Sequence, residues 1–168
     1  TVSELDAAVE RTAGRLAALS VEAGDHLALV MSPRQVSMRI IHAALRLGAV
    51  LVPLSHDLTP PELQPRLDGT DVSIVLCDER TETAVATGTK LPIASVDDPT
   101  QDRVEALEAV EAVDPPRHDW AGSDTALLAH TSGTTGDAKA VVLTATNLLT
   151  SAIASAARLG IAPDDRWL

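Results

Sequence analysis

The sequence predicts an α/β fold, a mainly parallel sheet flanked by helices. Short runs of β-branched and aliphatic residues (26–31, 50–54, 72–77) read as buried strands. Stretches of helical periodicity with capping signals separate them. Strands alternating with helices imply right-handed βαβ crossovers and parallel pairing.

The elements follow in order. Thr1-x-x-Glu4 is a capping box that opens a helix. Val2, Leu5, Val9, Leu16 and Leu19 fall on one stripe of it. Gly24-Asp25 turns the chain into strand 26–31. Ser32 is expected to cap a second helix, with Pro33 at its first position and Gln35 closing the box. Its apolar face carries Val36, Ile40, Ala43, Ala44 and Leu47, and Gly48 ends it. Val50–Leu54 is the next strand. Thr59-Pro60-Pro61-Glu62 starts a helix to about Leu67, and Val72–Cys77 is a strand again.

Residues 78–124 are rich in charged and small side chains and are expected to form a variable acidic excursion within one domain covering 1–168. Residues 92–96 suit a short strand. Val104, Leu107, Val110 and Val113 recur every third residue, which suggests a weak helix or a charged surface segment. Beyond the loop at 131–139, Thr144 or Thr146 caps a last helix carrying Leu148, Leu149, Ala152, Ile153, Ala156 and Leu159. Gly160 ends it and Pro163 prevents its resumption.

The length of 168 residues is one domain's worth of chain. The sequence lacks an initiator Met and stops in what reads as a turn entering a strand, so a truncated N-terminal part of a larger protein is expected. An interrupted sheet would leave apolar surface uncovered. The net charge of −11 argues against nucleic acid and anionic membranes as partners. No apolar stretch approaches the ~20 residues that span a bilayer. The lone Cys77 fits a reducing, cytoplasmic setting. Arg outnumbers Lys eleven to two and Phe and Tyr are absent, which suits a salt-rich cytoplasm and GC-rich coding equally.

The chemistry concentrates in Thr131-Ser132-Gly133-Thr134-Thr135-Gly136-Asp137-Ala138-Lys139, between apolar runs 126–129 and 141–144. Glycines admit close approach of an anion, successive N–H groups form an anion nest, hydroxyls add donors, and Lys139 adds a point charge. The P-loop pattern fails, because Ala138 stands where it needs glycine and no Ser or Thr follows Lys139. This is a phosphate loop of another kind, between strands. On composition alone such a cluster is a solvated turn.

The ordered Thr131-Ser132-Gly133-Thr134-Thr135-Gly136, followed by Lys139 and an aliphatic strand, resembles the phosphate-loop signature of the AMP-forming acyl-CoA synthetase, adenylation-domain and luciferase superfamily. Leu47-Gly48-Ala49-Val50, Val52-Pro53-Leu54 and Leu58-Thr59-Pro60-x-Glu62-Leu63 resemble the first half of its large N-terminal domain. Ala138 and Ala140 depart from the proline and glycine usual there, which lessens preorganisation and adds a methyl but removes no donor. Gly136-Asp137-x-Lys139-Ala140-Val141 with Leu143-Thr144-x-x-Asn147-Leu148-Leu149 further resembles the ortho-succinylbenzoate–CoA ligase branch.

The resemblance implies an ATP-dependent ligase that activates a carboxylic acid as acyl-adenylate and passes it to coenzyme A, with Mg²⁺ on the nucleotide. It implies phosphate binding by Thr131, Ser132, Gly133, Thr134, Thr135, Gly136 and Lys139, with Lys139 catalytic. The adenine pocket, the Mg²⁺-binding glutamate and a C-terminal-domain lysine are expected later in the chain, so the remainder of the adenylation domain and a C-terminal domain are implied partners. The alternative is a non-catalytic α/β nucleotide-binding or interaction module. His130 is expected to be a packed, hydrogen-bonded histidine, Cys77 a small core hydrophobe, and Asp124 a turn residue.

Overall fold

The computed structural model describes residues 1–131, 139–160 and 162. Its strands are β1 (His26–Val30), β2 (Val50–Leu54), β3 (Val72–Cys77), β4 (Ile93–Ser95), β5 (Val104–Ala106), β6 (Thr125–Thr131) and β7 (Lys139–Thr144). The helices are α1 (Val2–Ala18), α2 (Gln35–Leu47), α3 (Pro60–Asp68), α4 (Glu82–Gly88) and α5 (Ala145–Leu159). The strands form one sheet in the order β5-β4-β3-β1-β2-β6-β7. Every neighbouring pair is parallel except β6–β7.

The apolar runs dictate this arrangement. Successive strand residues point to opposite faces, and β1 is apolar at Leu27, Ala28, Leu29 and Val30, so both faces need covers. On one face Leu27, Leu29, Leu51, Ile74 and Leu76 pack against Val9, Leu16, Ile40, Ala43 and Leu47 of α1 and α2. On the other, Ala28, Val30, Val52 and Val75 pack against Leu63 and Leu67 of α3 and Val85 of α4. The chain moves from β1 to β2 through α2 on one face, then back past β1 to β3 through α3 on the other. Right-handed crossovers in opposite directions require that change of face.

The first helix is capped by the Thr1–Glu4 box as expected, but its stripe is buried only at Val9 and Leu16; Val2 is 85% exposed and Leu5 39%. The second helix starts at Gln35 rather than at Pro33. Ser32 is not its cap, because its N–H donates to Asp78 (2.8 Å) and its carbonyl accepts from the Ser37 hydroxyl (3.0 Å). Gly48 ends α2 at φ +80. Thr144, not Thr146, caps α5.

The segment 78–124 builds structure. It supplies α4, β4 and β5, in which Val85, Ile93, Ala94 and Val104 are buried. The weak helix expected over Val104–Val113 does not form. Val104 enters β5, a 3₁₀ turn spans Leu107–Ala109, and the chain then runs extended. Pairing of β5 with β4 competes successfully with a helical period of only four apolar residues.

From 110 to 121 the chain is a strap across α1 and α2. Val113 donates to the Gly14 carbonyl (3.3 Å), His118 to the Arg46 carbonyl (3.0 Å), and the Trp120 indole to the Leu45 carbonyl (2.9 Å). It can lie this close because Gly14 and Gly48 lack side chains: a Cβ on Gly48 would sit 2.4 Å from His118 Cγ. The turn after it is knotted by Asp124, whose carboxylate accepts from the Ala121 N–H (2.8 Å) and His118 Nε2 (3.0 Å). Carbonyls of the same turn accept from Ala145 and Thr146 at the start of α5.

Pro53 lies inside the sheet, where proline is normally excluded. The Val50 N–H donates to the Asp25 carbonyl at the foot of β1, so by alternation the backbone groups of Leu51 and Pro53 face β6. The missing N–H is therefore on that side, and the β2–β6 register is a single pair, Leu51↔Leu127. Helix α5 has no buried residue. Val142, Leu149, Ile153 and Leu159 are each more than half exposed.

Gly48→Ala combines a left-handed backbone with a clash against His118, and is expected to cost about 2–3 kcal/mol. A denaturant melt of the variant should show that loss, with a shifted Trp120 emission because His118 and Trp120 stack edge to face at 5.0 Å.

Candidate functional site

The hairpin β6–β7 brings Thr131 and Lys139 opposite each other, with His130 against Ala140 and Ala129 against Val141 behind them. The Thr131 hydroxyl donates to the Lys139 carbonyl at 3.3 Å, closing the hairpin mouth. Both residues are exposed. The expected strand–loop–strand organisation thus holds at its two ends. Ser132, Gly133, Thr134, Thr135 and Gly136 lie outside the described residues, as does Asp137.

Because β6 is parallel to β1, β2 and β3, its Thr131 end lies at the same edge as their C-terminal ends. Ligands of open α/β sheets bind at that edge. A cavity of about 720 Å³ opens there between β1, β2 and the start of α2, lined by Leu29, Met31, Met38 and Pro53 with Arg34 and His56 among its polar groups. The switch point falls between β1 and β3, whose exits lead to opposite sides.

At the switch point sits Asp78, 2% exposed. Its carboxylate accepts from the Ser32 N–H (2.8 Å), the Thr81 N–H (3.1 Å) and the Thr81 hydroxyl (2.9 Å). Burial alone would push the carboxyl up, but these donors outweigh it and hold Asp78 below the usual aspartate value. Arg34 lies 3.9 Å from Asp78 and donates to Asp97 at 2.7 Å. That contact holds Asp97 low and Arg34 high. The cluster ties the exits of β1, β3 and β4 together. No motif marked it in the sequence. The only local signal was an aspartate ending an apolar run with Thr81 three residues on, the pattern of a side chain closing a turn.

The remaining candidates divide plainly. Cys77 is buried and its thiol is pushed up to about 12, chiefly by burial, so it packs and does not react. Asp124 serves a turn, as expected. His130 is half-buried as expected, but its Nδ1 is buried without a hydrogen-bond partner among the described residues, contrary to the expectation of a hydrogen-bonded ring. Among the described residues no group of three or more His, Cys, Asp or Glu could hold a metal ion, and no helix is long and apolar enough to cross a membrane.

The AMP-binding enzyme family matches residues 1–168. The chain belongs to that family. Among curated relatives, it is 33% identical over 168 residues to the 2-succinylbenzoate–CoA ligase of Listeria monocytogenes and 35% identical to that of Bacillus subtilis. Each alignment covers 100% of this chain and 33% of the relative, so the chain spans about a third of their length. The o-succinylbenzoate coenzyme A synthetase of Bacillus subtilis in complex with AMP superposes with a TM-score of 0.87 at 33% identity, covering 99% of this chain and 42% of that one. An acyl-CoA synthetase of Brucella canis, at 22% identity and TM-score 0.84, shares the fold.

Asp78→Ala leaves the part-buried Ser32 N–H without its acceptor and the Thr81 N–H with only the residue 78 carbonyl, and is expected to cost about 1–3 kcal/mol in a thermal or denaturant melt. The pH dependence has a definite sign. Asp78 and Asp97 are both depressed, so their stabilisation is complete above the unfolded aspartate value of about 3.9 and is lost as pH falls through the folded values. Wild-type stability should therefore decline below about pH 4, and the decline should be shallower in Asp78→Ala.

Proposed function

We propose that this chain is the phosphate-binding part of an AMP-forming carboxylate–CoA ligase, with ortho-succinylbenzoate as the acid. The observation that carries the reading is the hairpin that sets Thr131 against Lys139 at the ligand-binding edge of the sheet, in a family whose named relatives activate this acid. In the first half-reaction the carboxylate attacks the α-phosphate of ATP, forming acyl-adenylate and releasing pyrophosphate. In the second, the coenzyme A thiolate displaces AMP.

The work of this chain falls in the first half. Charge builds on the β- and γ-phosphates as pyrophosphate leaves, and fixed donors at that place lower the barrier. Lys139 supplies a full positive charge from the first position of β7. Thr131 supplies a hydroxyl, and Ser132, Gly133, Thr134, Thr135 and Gly136 supply the remaining hydroxyls and N–H groups. Mg²⁺ would accompany the nucleotide and neutralise part of its charge. The rest of the adenylation domain and a C-terminal domain complete the site, in a cytoplasmic biosynthetic enzyme of menaquinone formation.

Pyrophosphate exchange into ATP by the full-length protein tests this. Exchange should depend on ortho-succinylbenzoate; exchange driven by amino acids alone would reassign the substrate class. In the same protein Lys139→Ala should slow adenylate formation about ten- to a hundredfold, the worth of a charge-assisted contact of roughly 1.5–3 kcal/mol. Thioester formation from supplied acyl-adenylate should change little, because the phosphates that Lys139 meets are gone by then. Lys90→Ala should leave both steps intact. Equal slowing of both steps by Lys139→Ala would withdraw the phosphate role.

A further inference from the structure

We propose that the neutral imidazole of His130, set between β6 and α3 beside Arg66, is a positioning residue for the hairpin end that carries Thr131 and Lys139, and that adding a proton to it loosens that end. His130 pairs with Ala140 one register step behind Thr131↔Lys139, so its side chain lies under the mouth of the hairpin. By alternation it shares a sheet face with Leu128, which packs with Leu63 and Leu67 of α3. Ring atom Nδ1 is shut off from solvent and has no partner among the described residues.

That missing partner fixes the chemistry. A neutral ring with its hydrogen on Nε2 leaves Nδ1 as a bare acceptor, which burial tolerates. Protonation turns Nδ1 into a buried donor with nothing to receive it, which costs more than an unused acceptor. The neighbouring charge of Arg66 makes this worse. Arg66 faces it from α3, anchored by a hydrogen bond to the Glu62 carbonyl. The adjacent strand β2 (Val50–Leu54) carries no ionisable group, and β7 brings Lys139 beside the register partner. Among the described residues no carboxylate acts on the ring to compensate. Burial first, then Arg66, hold His130 below the usual histidine value. The neutral state is therefore the native one, and its support is lost as pH falls below the unfolded value of about 6.5. The single pair Leu51↔Leu127 is the whole ladder between this hairpin and β2, so the hairpin can respond without the central strands.

Hydrogen exchange of the full chain, read by mass spectrometry and corrected for the intrinsic pH dependence of amide exchange, tests the proposal. Between about pH 7.5 and about pH 5.5, peptides covering 125–131 and 139–144 should lose protection, by at most about tenfold, the ceiling that one pH unit of linked protonation sets. Peptides covering β1 and β3 should not. His130→Phe should abolish the response, His130→Gln should do the same while keeping a polar group, and Arg66→Gln should shrink it. No loss in the wild type, the same loss in both His130 variants, or an equal loss in β1 and β3 would overturn it. The bearing on nucleotide rests on the phosphate reading above: ATP affinity should fall over the same window. If the exchange responds and ATP affinity does not, the positioning role stands and the phosphate reading fails.

Discussion

The constraint on which the rest depends is the burial of β1 on both faces. Leu27 and Ala28 are 0% exposed, Leu29 6% and Val30 2%, and a strand with no polar face cannot sit at a solvated surface. It must lie inside a parallel sheet with helices on each side. Helices reach both sides only if the chain leaves β1 in one direction and passes back over it in the other, and the reversal creates the crevice at the β1 and β3 exits. Backbone groups freed there need partners away from solvent. Asp78 supplies them, so the buried carboxylate follows from the apolar strand and not from any separate requirement.

The strands that were legible in the sequence were those with the strongest burial. Runs 50–54 and 72–77 matched β2 and β3 to the residue because apolar continuity ends abruptly at each border. Gly48 and the Thr1 cap were legible because a single backbone conformation or a single hydrogen bond specifies them. Ser32 misled because a serine before proline fits a helix cap locally, and only the three-dimensional approach of Asp78 diverts its N–H. Helix α4 was missed because its seven residues offer just Val85 as a fully buried apolar side chain. Propensity at that length is too weak to register. The helix reading of 104–113 failed for the complementary reason, that β4 offered a ladder no local pattern reveals.

Of the candidate site, the two ends were legible and the surroundings were not. Apolar runs on either side of the hydroxyl-rich stretch announced the hairpin, and the register then placed Thr131 against Lys139. His130 gave no sign of its unusual state, since an unpartnered ring nitrogen is a property of neighbours from α3 and β7. The strap likewise carries no repeat or periodicity. Its path is written at Gly14 and Gly48, more than sixty residues upstream, as places where side chains are missing.

Pro53 divides the sheet into pieces of different stiffness. The strands from β5 to β2 are joined by parallel ladders of three to five pairs, while β6 and β7 form a two-stranded ribbon with its own six-pair register. Between them lies a seam with one backbone pair, bridged otherwise by Leu127 and Leu128 reaching into the apolar layers on opposite faces. Side-chain packing resists separation but is nearly indifferent to rotation, because it is non-directional where hydrogen bonds are not. The ribbon's pitch against the block is therefore governed by the turn at 121–124 and by whatever rests on β7 and α5. The angle at which Lys139 stands at the edge of the sheet becomes a coordinate that other parts of a protein can tune, while the central strands keep their register.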